Sequence, residues 1–124
     1  METSFTDREL DVMSALWQLG SGTVAEVRDA LGHEAGYTTV LKILQILEEK
    51  GSVRHEVEGR AYRYHPVVAA EQAGGPALRR VLDKIFLGSA ESLLANLVDE
   101  RELTPAEIWR MQKLLDDAAK RGER

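Results

Sequence analysis

The sequence predicts a mostly α-helical chain with one small β-hairpin, and three observations lead to that prediction. The first is a threonine followed three residues later by a glutamate, the capping-box signature of a helix start, which occurs at Thr6–Glu9, Thr23–Glu26 and Thr104–Glu107. The second is the recurrence of apolar residues at three- and four-residue spacing after these starts. The third is a change to a period of two around Gly59, which is typical of a hairpin.

Composition restricts the class of protein. The chain has 124 residues, of which 44% are hydrophobic and 30% charged, as expected for one compact domain or two small ones. It has no cysteine, which excludes disulfides, thiolate nucleophiles and thiolate metal sites. No apolar run approaches the ~20 residues of a membrane span, and the acidic, polar beginning lacks the pattern of a secretory signal. We therefore expect a cytoplasmic protein without membrane insertion.

The distribution of charge is more informative than its sum. A net charge of −5 argues mildly against nucleic-acid binding by the chain as a whole. Residues 37–66, however, carry five basic side chains against four acidic ones. Any nucleic-acid site is therefore expected to be a local patch within that segment.

Three helices are predicted in the N-terminal half. The first follows Thr6 and ends at about Leu19, before a Gly-Ser-Gly stretch. The second follows Thr23 and is short, with Gly32 at the position where a helix end favours a left-handed residue. The third lies within GYTTVLKILQILEEKG, residues 36–51. Its predicted buried face consists of Val40, Ile43, Leu44 and Leu47.

The segment SVRHEVEGRAYRYHP, residues 52–66, alternates between two sides. Apolar and aromatic side chains fall on one side of each predicted strand, at Val53, His55, Val57, Tyr62 and Tyr64. The glycine between the two strands is a turn signal, and the final proline ends the hairpin. A helix, a short helix, a longer helix and a hairpin follow the order of a winged helix-turn-helix domain, which we predict over residues 1–66.

The exposed face of the third helix is a candidate surface for reading DNA. At about 100° per residue, Thr38, Lys42 and Gln45 point away from the buried face. Small hydroxyl residues at the start of a helix can reach base edges or phosphates, as the N-terminal residues of a recognition helix do in the major groove. The predicted wing contacts to the DNA backbone or minor groove are Arg54, Arg60 and Arg63.

Each of these residues also has an ordinary structural explanation. Thr38 and Thr39 could merely cap the helix, and Lys42 and Gln45 could form a solvated face. The two hairpin tyrosines could serve packing alone, and the hairpin arginines could form ion pairs. The candidate partners in such pairs are Glu48, Glu49, Glu56 and Glu58. The joint arrangement of these residues favours the DNA-binding interpretation.

Gly74-Gly75-Pro76 is the strongest break signal in the chain. We therefore predict a linker over residues 67–76 and a C-terminal module of three amphipathic helices over residues 77–124. So short a module rarely has a sufficient core of its own, so we expect its apolar faces to pack against a second copy in a symmetric homodimer. The predicted dimerisation residues are Leu78, Leu82, Ile85, Phe86, Leu94, Leu97, Ile108, Met111 and Leu115. The alternative is a monomer in which these helices pack back onto residues 1–66.

Several segments together resemble a known family. They are FTDRELDVMSALW, TVAEVRDAL, GYTTVLKILQILEEKG, VRHEVEGRAYRYHP and LDKIFLGSAESLLANLVDERELTPAEIWRMQKLLDD. Over essentially its whole length, the chain resembles the penicillinase-repressor family of bacterial regulators. The resemblance implies a homodimeric transcriptional repressor that binds a palindromic double-stranded DNA operator through Tyr37, Thr38, Thr39 and the rest of the third-helix face. It also implies dimerisation through the C-terminal helices.

Two positions depart from the family pattern. The family usually carries a polar residue at the position of Leu41 and a basic one at that of Ile46. Both residues flank the predicted reading face. They could change operator preference, contact thymine methyl groups or pack on another surface.

The resemblance also suggests how the repressor is relieved. In the β-lactam branch of the family, a membrane-bound sensor-protease acts upstream and the dimerisation module is cleaved at an Asn-Phe bond. The matching position here is Asn96-Leu97. The alternative is that Leu97 is a core leucine and Asn96 an exposed helix residue. The copper-responsive branch uses a C-terminal cysteine cluster, which this chain lacks.

Neither an enzyme nor a cofactor is predicted. The sequence contains no nucleophile elbow, no glycine-rich phosphate loop and no metal motif. His33, His55 and His65 match no spacing of metal ligands. The competing function is a winged-helix module that binds a protein or senses a ligand without specific DNA binding. The acidic balance and the apolar Leu41 and Ile46 favour that alternative.

Overall fold

The computed structural model describes residues 5–122, which contain six helices and three short strands. Along the chain these are α1 (Asp7–Leu19), β1 (Gly22–Thr23), α2 (Val24–Ala30), α3 (Tyr37–Glu49), β2 (Val53–Glu58), β3 (Ala61–Pro66), α4 (Ala70–Lys84), α5 (Ala90–Glu100) and α6 (Pro105–Gly122). The chain divides into two compact units, residues 1–79 and residues 80–124. The mostly helical fold class with a small antiparallel sheet is as predicted.

Three capping boxes begin helices where the sequence predicts them. At α1 the Thr6 hydroxyl accepts a hydrogen bond from the Glu9 backbone N–H at 3.2 Å, and the Glu9 carboxylate accepts one from the Thr6 N–H at 2.8 Å. The equivalent Thr–Glu pairs at the starts of α2 and α6 make the same two bonds. Each box satisfies backbone N–H groups that lack a partner inside the helix, which determines where the helix begins.

The core of the N-terminal unit lies between the first three helices and the sheet. Val40, Leu44 and Leu47 of α3 are buried in it, and Ile43 packs at its edge, so the predicted buried face of α3 is confirmed. The wing contributes Tyr64 to the same cluster. Burial raises the pKa of the Tyr64 phenol. One face of α3 is therefore held firmly against the rest of the unit.

The hairpin of β2 and β3 forms the predicted wing. His55 lies opposite Tyr64, and Val57 lies opposite Tyr62, so the alternation expected from the sequence sets the register. The connecting loop begins with Gly59 at φ +62°, the left-handed conformation that a two-residue hairpin turn requires at this position. The short strand β1 joins β3 on its other side and gives the order β1-β3-β2. This third strand was not predicted, because two residues are too few to show a period.

Most of residues 67–76, the segment predicted as a linker, is helical, and the break signal within it does not end a helix. Helix α4 begins at Ala70 and runs through Gly74-Gly75-Pro76 to its end. Pro76 removes a backbone donor, and glycine costs ~1 kcal/mol relative to alanine in a helix, but neither residue forbids helical dihedral angles. The burial of Ala73 ties this part of the helix to packing that offsets the cost. The Gln72 side chain also accepts a hydrogen bond from the Ala69 N–H at 2.8 Å at the helix start.

The C-terminal unit is helical but has little interior of its own. Ser89 caps the start of α5, because its hydroxyl accepts a hydrogen bond from the Ser92 N–H at 3.1 Å. Neither α5 nor α6 contains a buried residue. Large apolar side chains are exposed on these helices, namely Leu97, Val98, Ile108, Trp109, Leu114 and Leu115. Among the described helices, none combines the length and the apolar character needed to cross a bilayer.

Candidate nucleic-acid interface

The outward face of α3 presents short polar side chains and one cation. Thr38, Lys42 and Gln45 are exposed opposite the buried face of the same helix, and Thr39 is exposed beside them at the side of the helix. Tyr37, the first residue of α3, is 48% exposed. The structure thus brings the predicted reading residues together on one accessible surface.

The threonines do not serve as helix caps. Gly36 occupies the N-cap position of α3, and no side chain caps the helix there. The first turn of α3 therefore keeps backbone N–H groups without a side-chain partner, and its positive dipole end favours an anion. The capping explanation for Thr38 and Thr39 is wrong, and both residues are exposed.

The two apolar residues beside this face differ from each other. Leu41 is partly buried and packs against the core cluster. Ile46 is 36% exposed and lies one helical turn beyond Lys42 on the same side of α3. Leu41 is thus explained by packing, whereas Ile46 is accessible beside the exposed polar residues of α3.

The three wing arginines lie in different surroundings. Arg54 contacts Glu56 on its own strand at 2.6 Å, and both side chains are more than half exposed. Arg60 lies in the turn of the hairpin and is exposed, and it forms no ion pair with any residue that the structure describes. Arg63 is bound by two carboxylates. The predicted pairing of wing arginines with glutamates is therefore correct for two of the three arginines.

Arg63 makes the most extensive polar contacts of the wing. Its Nε and one terminal nitrogen donate to the two carboxylate oxygens of Glu58 at 3.0 and 2.9 Å. Its other terminal nitrogen lies 3.0 Å from a Glu26 oxygen and donates to the Ser21 hydroxyl at 3.3 Å. The guanidinium holds the pKa of Glu58 below its usual range. The Thr23 backbone N–H first, and then Arg63, do the same for the pKa of Glu26.

A second set of contacts joins the end of α3 to the wing. The His55 ring nitrogen Nδ1 lies 2.6 Å from a Glu48 carboxylate oxygen. The His55 ring also stacks on Tyr62 with centroids 4.3 Å apart. Glu48 is therefore engaged by a histidine rather than by a wing arginine, and Tyr62 packs within the hairpin as the structural alternative predicts. Glu49 forms no ion pair with the described residues.

A long-range ion pair, which the sequence did not suggest, holds α3 at its C-terminal end. The Lys50 ammonium donates to both carboxylate oxygens of Glu9 at 2.8 Å, across 41 residues of sequence. Burial raises the pKa of Glu9, but the bond from Lys50 and the bond from the Thr6 N–H outweigh it, so the pKa is lowered overall. The capping-box pattern of the sequence indicates only a local role for Glu9 at the start of α1. It does not indicate the distant partner, Lys50.

The histidines do not converge on a metal site. His33 lies 3.1 Å from Asp29, and His65 lies 3.7 Å from Glu56. In the part of the chain that the structure describes, no three histidine or acidic side chains form a group able to hold a metal ion.

The predicted dimerisation residues are accessible within one chain. Leu82, Phe86, Leu94 and Met111 are partly buried. The exposed members are Leu78, Ile85, Leu97, Ile108 and Leu115. Asn96 is exposed and its side chain donates to the Ser92 carbonyl at 2.9 Å, inside the regular helix α5. Leu97 is 46% exposed, so it is not a core leucine of a single chain.

Comparison with known proteins matches this architecture to one family. A family model described as penicillinase repressor matches residues 5–117. The chain is 25% identical over 114 residues to a penicillinase repressor of Bacillus licheniformis, covering 90% of this chain and 89% of that protein. It is 32% identical over 101 residues to the transcriptional regulator BlaI of Mycobacterium tuberculosis, covering 78% of this chain and 73% of that one.

Solved structures agree on the fold. The solution structure of the DNA-binding domain of the repressor BlaI superposes with a TM-score of 0.51 at 29% identity, over 58% of this chain and 93% of that domain. A MarR family protein from Bacillus stearothermophilus has a TM-score of 0.52 at 16% identity, over 98% of this chain and 78% of that one, which concerns the fold alone. The named relatives are regulators and not enzymes, in agreement with the sequence analysis. The chain belongs to the penicillinase repressor family.

Proposed function

We propose that this protein is a sequence-specific, DNA-binding transcriptional repressor that reads a duplex with the outward face of α3. The observation that carries the proposal is the division of α3 into a fully buried face and an exposed face of hydroxyl, amide and ammonium groups. A helix fixed in this way can lie in a major groove about 12 Å wide without losing its core contacts. The names of the relatives, a penicillinase repressor and a BlaI regulator, support the same function.

The exposed residues divide into two groups by their chemistry. Thr38, Thr39 and Gln45 offer donors and acceptors suited to base edges, with Tyr37 at the helix start beside them. We assign the phosphate contacts to the cationic side chains, because contacts between cations and phosphates supply most of the sequence-independent binding energy. The proposed phosphate contacts are Lys42 on α3 and Arg54 and Arg60 on the wing.

We propose that the active form is a homodimer on a palindromic operator. The support is the C-terminal unit, whose α5 and α6 bury no residue within one chain although each carries an apolar face. Faces of this kind are stabilised by a second copy related by a two-fold axis. Two copies would place two recognition helices about 34 Å apart, one helical turn of DNA, on an inverted repeat.

Relief of repression by proteolysis is the final part of the proposal. The candidate bond, Asn96–Leu97, lies inside α5, where a protease needs the helix to unwind locally before it can bind the chain. Since α5 buries no residue within one chain, its resistance to unwinding would depend on the dimer contacts. We propose that the repressor acts in the cytoplasm and that a membrane-bound sensor-protease upstream triggers this cleavage.

Selection of duplexes from a random library tests the proposal. The full-length chain is compared with a Thr38/Thr39/Lys42→Ala variant whose folding is verified by circular dichroism. The proposal predicts an enriched inverted repeat for the wild type and none for the variant. If the folded wild type enriches no sequence at low salt, specific DNA binding is refuted, and the exposed Ile46 becomes the place to look for a protein or ligand instead.

A further inference from the structure

We infer that Arg63 is a positioning residue that holds the wing against the start of α2 through Glu58 and Glu26, rather than a DNA contact. The inference rests on the proposed function of DNA binding and reassigns one residue that the sequence analysis placed among the DNA contacts.

The guanidinium of Arg63 has few donors left for a phosphate. Four of its contacts lie between 2.9 and 3.3 Å, two to Glu58, one to Glu26 and one to Ser21. The two bonds to Glu58 form the parallel, bidentate arrangement in which arginine binds carboxylates most strongly. A guanidinium has five N–H groups, and these contacts use all three of its nitrogens.

Burial and charge separate Arg63 from the other wing arginines. Its side chain is 25% exposed, against 56% for Arg54. Two carboxylates surround one guanidinium, so the cluster carries a net negative charge and repels a phosphate. A phosphate could bind Arg63 only by displacing Glu58 or Glu26, whereas Arg60 in the nearby turn, which has no ion pair among the described residues, needs no such exchange.

The position of the cluster explains what it can do. Arg63 lies opposite Thr23 in the β1–β3 pairing, at the point where the sheet leads into α2. Glu26 is also the capping-box residue of α2, and its carboxylate accepts the Thr23 N–H at 2.9 Å. Glu58 is the last residue of β2, next to the turn that carries Arg60. The guanidinium therefore connects α2, the helix that precedes α3, to the tip of the wing.

This connection determines the angle of the wing relative to the helices. The wing tip extends beyond the core, where Val57 is 72% exposed, so packing alone does not hold it. A wing that changes its angle moves Arg60 away from the phosphate that it would contact while α3 lies in the groove. Arg63 thus contributes to DNA affinity by restricting the wing and not by its own charge.

The salt dependence of DNA binding distinguishes a positioning residue from a phosphate contact. Each phosphate contact contributes about 0.9 to the slope of log K against log salt concentration. On a duplex from the selection, Arg63→Gln is expected to weaken binding about tenfold with an unchanged slope. The matched control, Arg60→Gln, is expected to reduce the slope by about 0.9 per chain. A reduction of the slope by Arg63→Gln equal to that of the control would overturn the inference.

Substitution of Glu58, the carboxylate partner of Arg63, gives a second test. The inference and simple electrostatics predict opposite changes in DNA affinity for it. Glu58→Gln removes a negative charge near the DNA, which by simple electrostatics strengthens binding. If Glu58 holds Arg63 in place, the same substitution weakens binding, because the wing loses its bidentate contact. Stronger binding by Glu58→Gln would overturn the inference, because it would mean that Glu58 acts on DNA binding through its charge and not through the position of the wing.

A measurement without DNA separates this inference from the proposed function. The natural chain has no cysteine, so nitroxide labels at Val57→Cys and Ala30→Cys report one distance between the wing and the end of α2. With labelled chains diluted into unlabelled ones, pulsed electron spin resonance should give a narrow distribution that Arg63→Gln broadens. An equally narrow distribution in the variant would overturn the inference. If the wild type binds no duplex, the proposed function fails while the spin-label result still stands.

Discussion

The ion pair between Lys50 and Glu9 gives the strongest single prediction about stability. Lys50→Met removes the ammonium but keeps most of the aliphatic stem, and it leaves the Glu9 carboxylate, 6% exposed, without its charged partner. At 2.8 Å and an effective dielectric constant of about 20, the gross Coulomb energy is about 6 kcal/mol. Lys50 is 43% exposed, so water screens the pair, and desolvation offsets part of the rest. We expect Lys50→Met to lower the free energy of unfolding by about 2 kcal/mol at pH 7.

The assay is urea unfolding of the full chain, followed by circular dichroism at one fixed protein concentration, because dimerisation would make stability depend on concentration. Lys42→Met is the matched control, since Lys42 is an exposed lysine within α3, the helix that Lys50 terminates, and has no ion pair to a described residue. It is expected to change the free energy of unfolding by less than about 0.5 kcal/mol. Adding Glu9→Gln to Lys50→Met should recover stability, because an amide is less costly to bury without a cation.

The decrease in the free energy of unfolding caused by Lys50→Met should also depend on pH in a defined direction. The folded state lowers the pKa of Glu9, so this group stabilises the wild type above its unfolded pKa, and the stabilisation is lost as pH falls through the lower folded pKa. Without Lys50, burial is opposed only by the bonds from Thr6, so the pKa of Glu9 is higher than in the wild type. Protonation of Glu9 then reduces the instability of the variant as pH falls. The deficit of Lys50→Met should therefore shrink between pH 7 and about pH 4. A deficit that is equal at both pH values, or no larger than that of Lys42→Met, would refute this account of the pair.

Three further predictions concern binding, assembly and backbone strain. Thr39→Ala or Lys42→Ala should each weaken binding to a selected duplex about tenfold, roughly 1.4 kcal/mol, without changing the unfolding curve. Unchanged affinity in an anisotropy titration would count against the proposed reading face. Leu82→Asp or Leu115→Asp should convert the proposed dimer to monomers in sedimentation velocity and reduce operator affinity as well, whereas a variant that sediments as a dimer like the wild type would contradict the proposed interface. Leu87 adopts φ +53° and is 87% exposed, so Leu87→Gly should raise the free energy of unfolding by about 1 kcal/mol in the same urea assay; a loss of similar size would mean that the leucine side chain packs in the dimer.

Local sequence signals predicted the parts of this fold that depend on a few neighbouring residues. The capping boxes at Thr6, Thr23 and Thr104 work within one helical turn, so the spacing of threonine and glutamate is enough to locate them. The alternation around Gly59 likewise predicts the register of the hairpin, because the turn determines which residues face each other. The exposed face of α3 followed from the position of its buried face.

The features that were missed depend on the three-dimensional arrangement of distant segments. The pairing of Glu9 with Lys50 and of Arg63 with Glu26 joins residues that are 41 and 37 positions apart, and no periodicity encodes such a choice of partner. The sequence identified Arg63 only as a wing cation, and its role depends on where β3 passes the start of α2. Gly74-Gly75-Pro76 was misleading because helix propensity is a weak preference that packing overrides.

Chemical probing of a bound duplex tests the central claim, that α3 reads DNA from the major groove. Dimethyl sulfate methylates guanine N7, which lies in the major groove, and adenine N3, which lies in the minor groove. On the duplex obtained by selection, wild-type protein should protect guanine N7 in two patches about one helical turn apart, and the Thr38/Thr39/Lys42→Ala variant should not. Guanines that stay reactive throughout a fully bound site, with protection limited to adenine N3, would contradict the account.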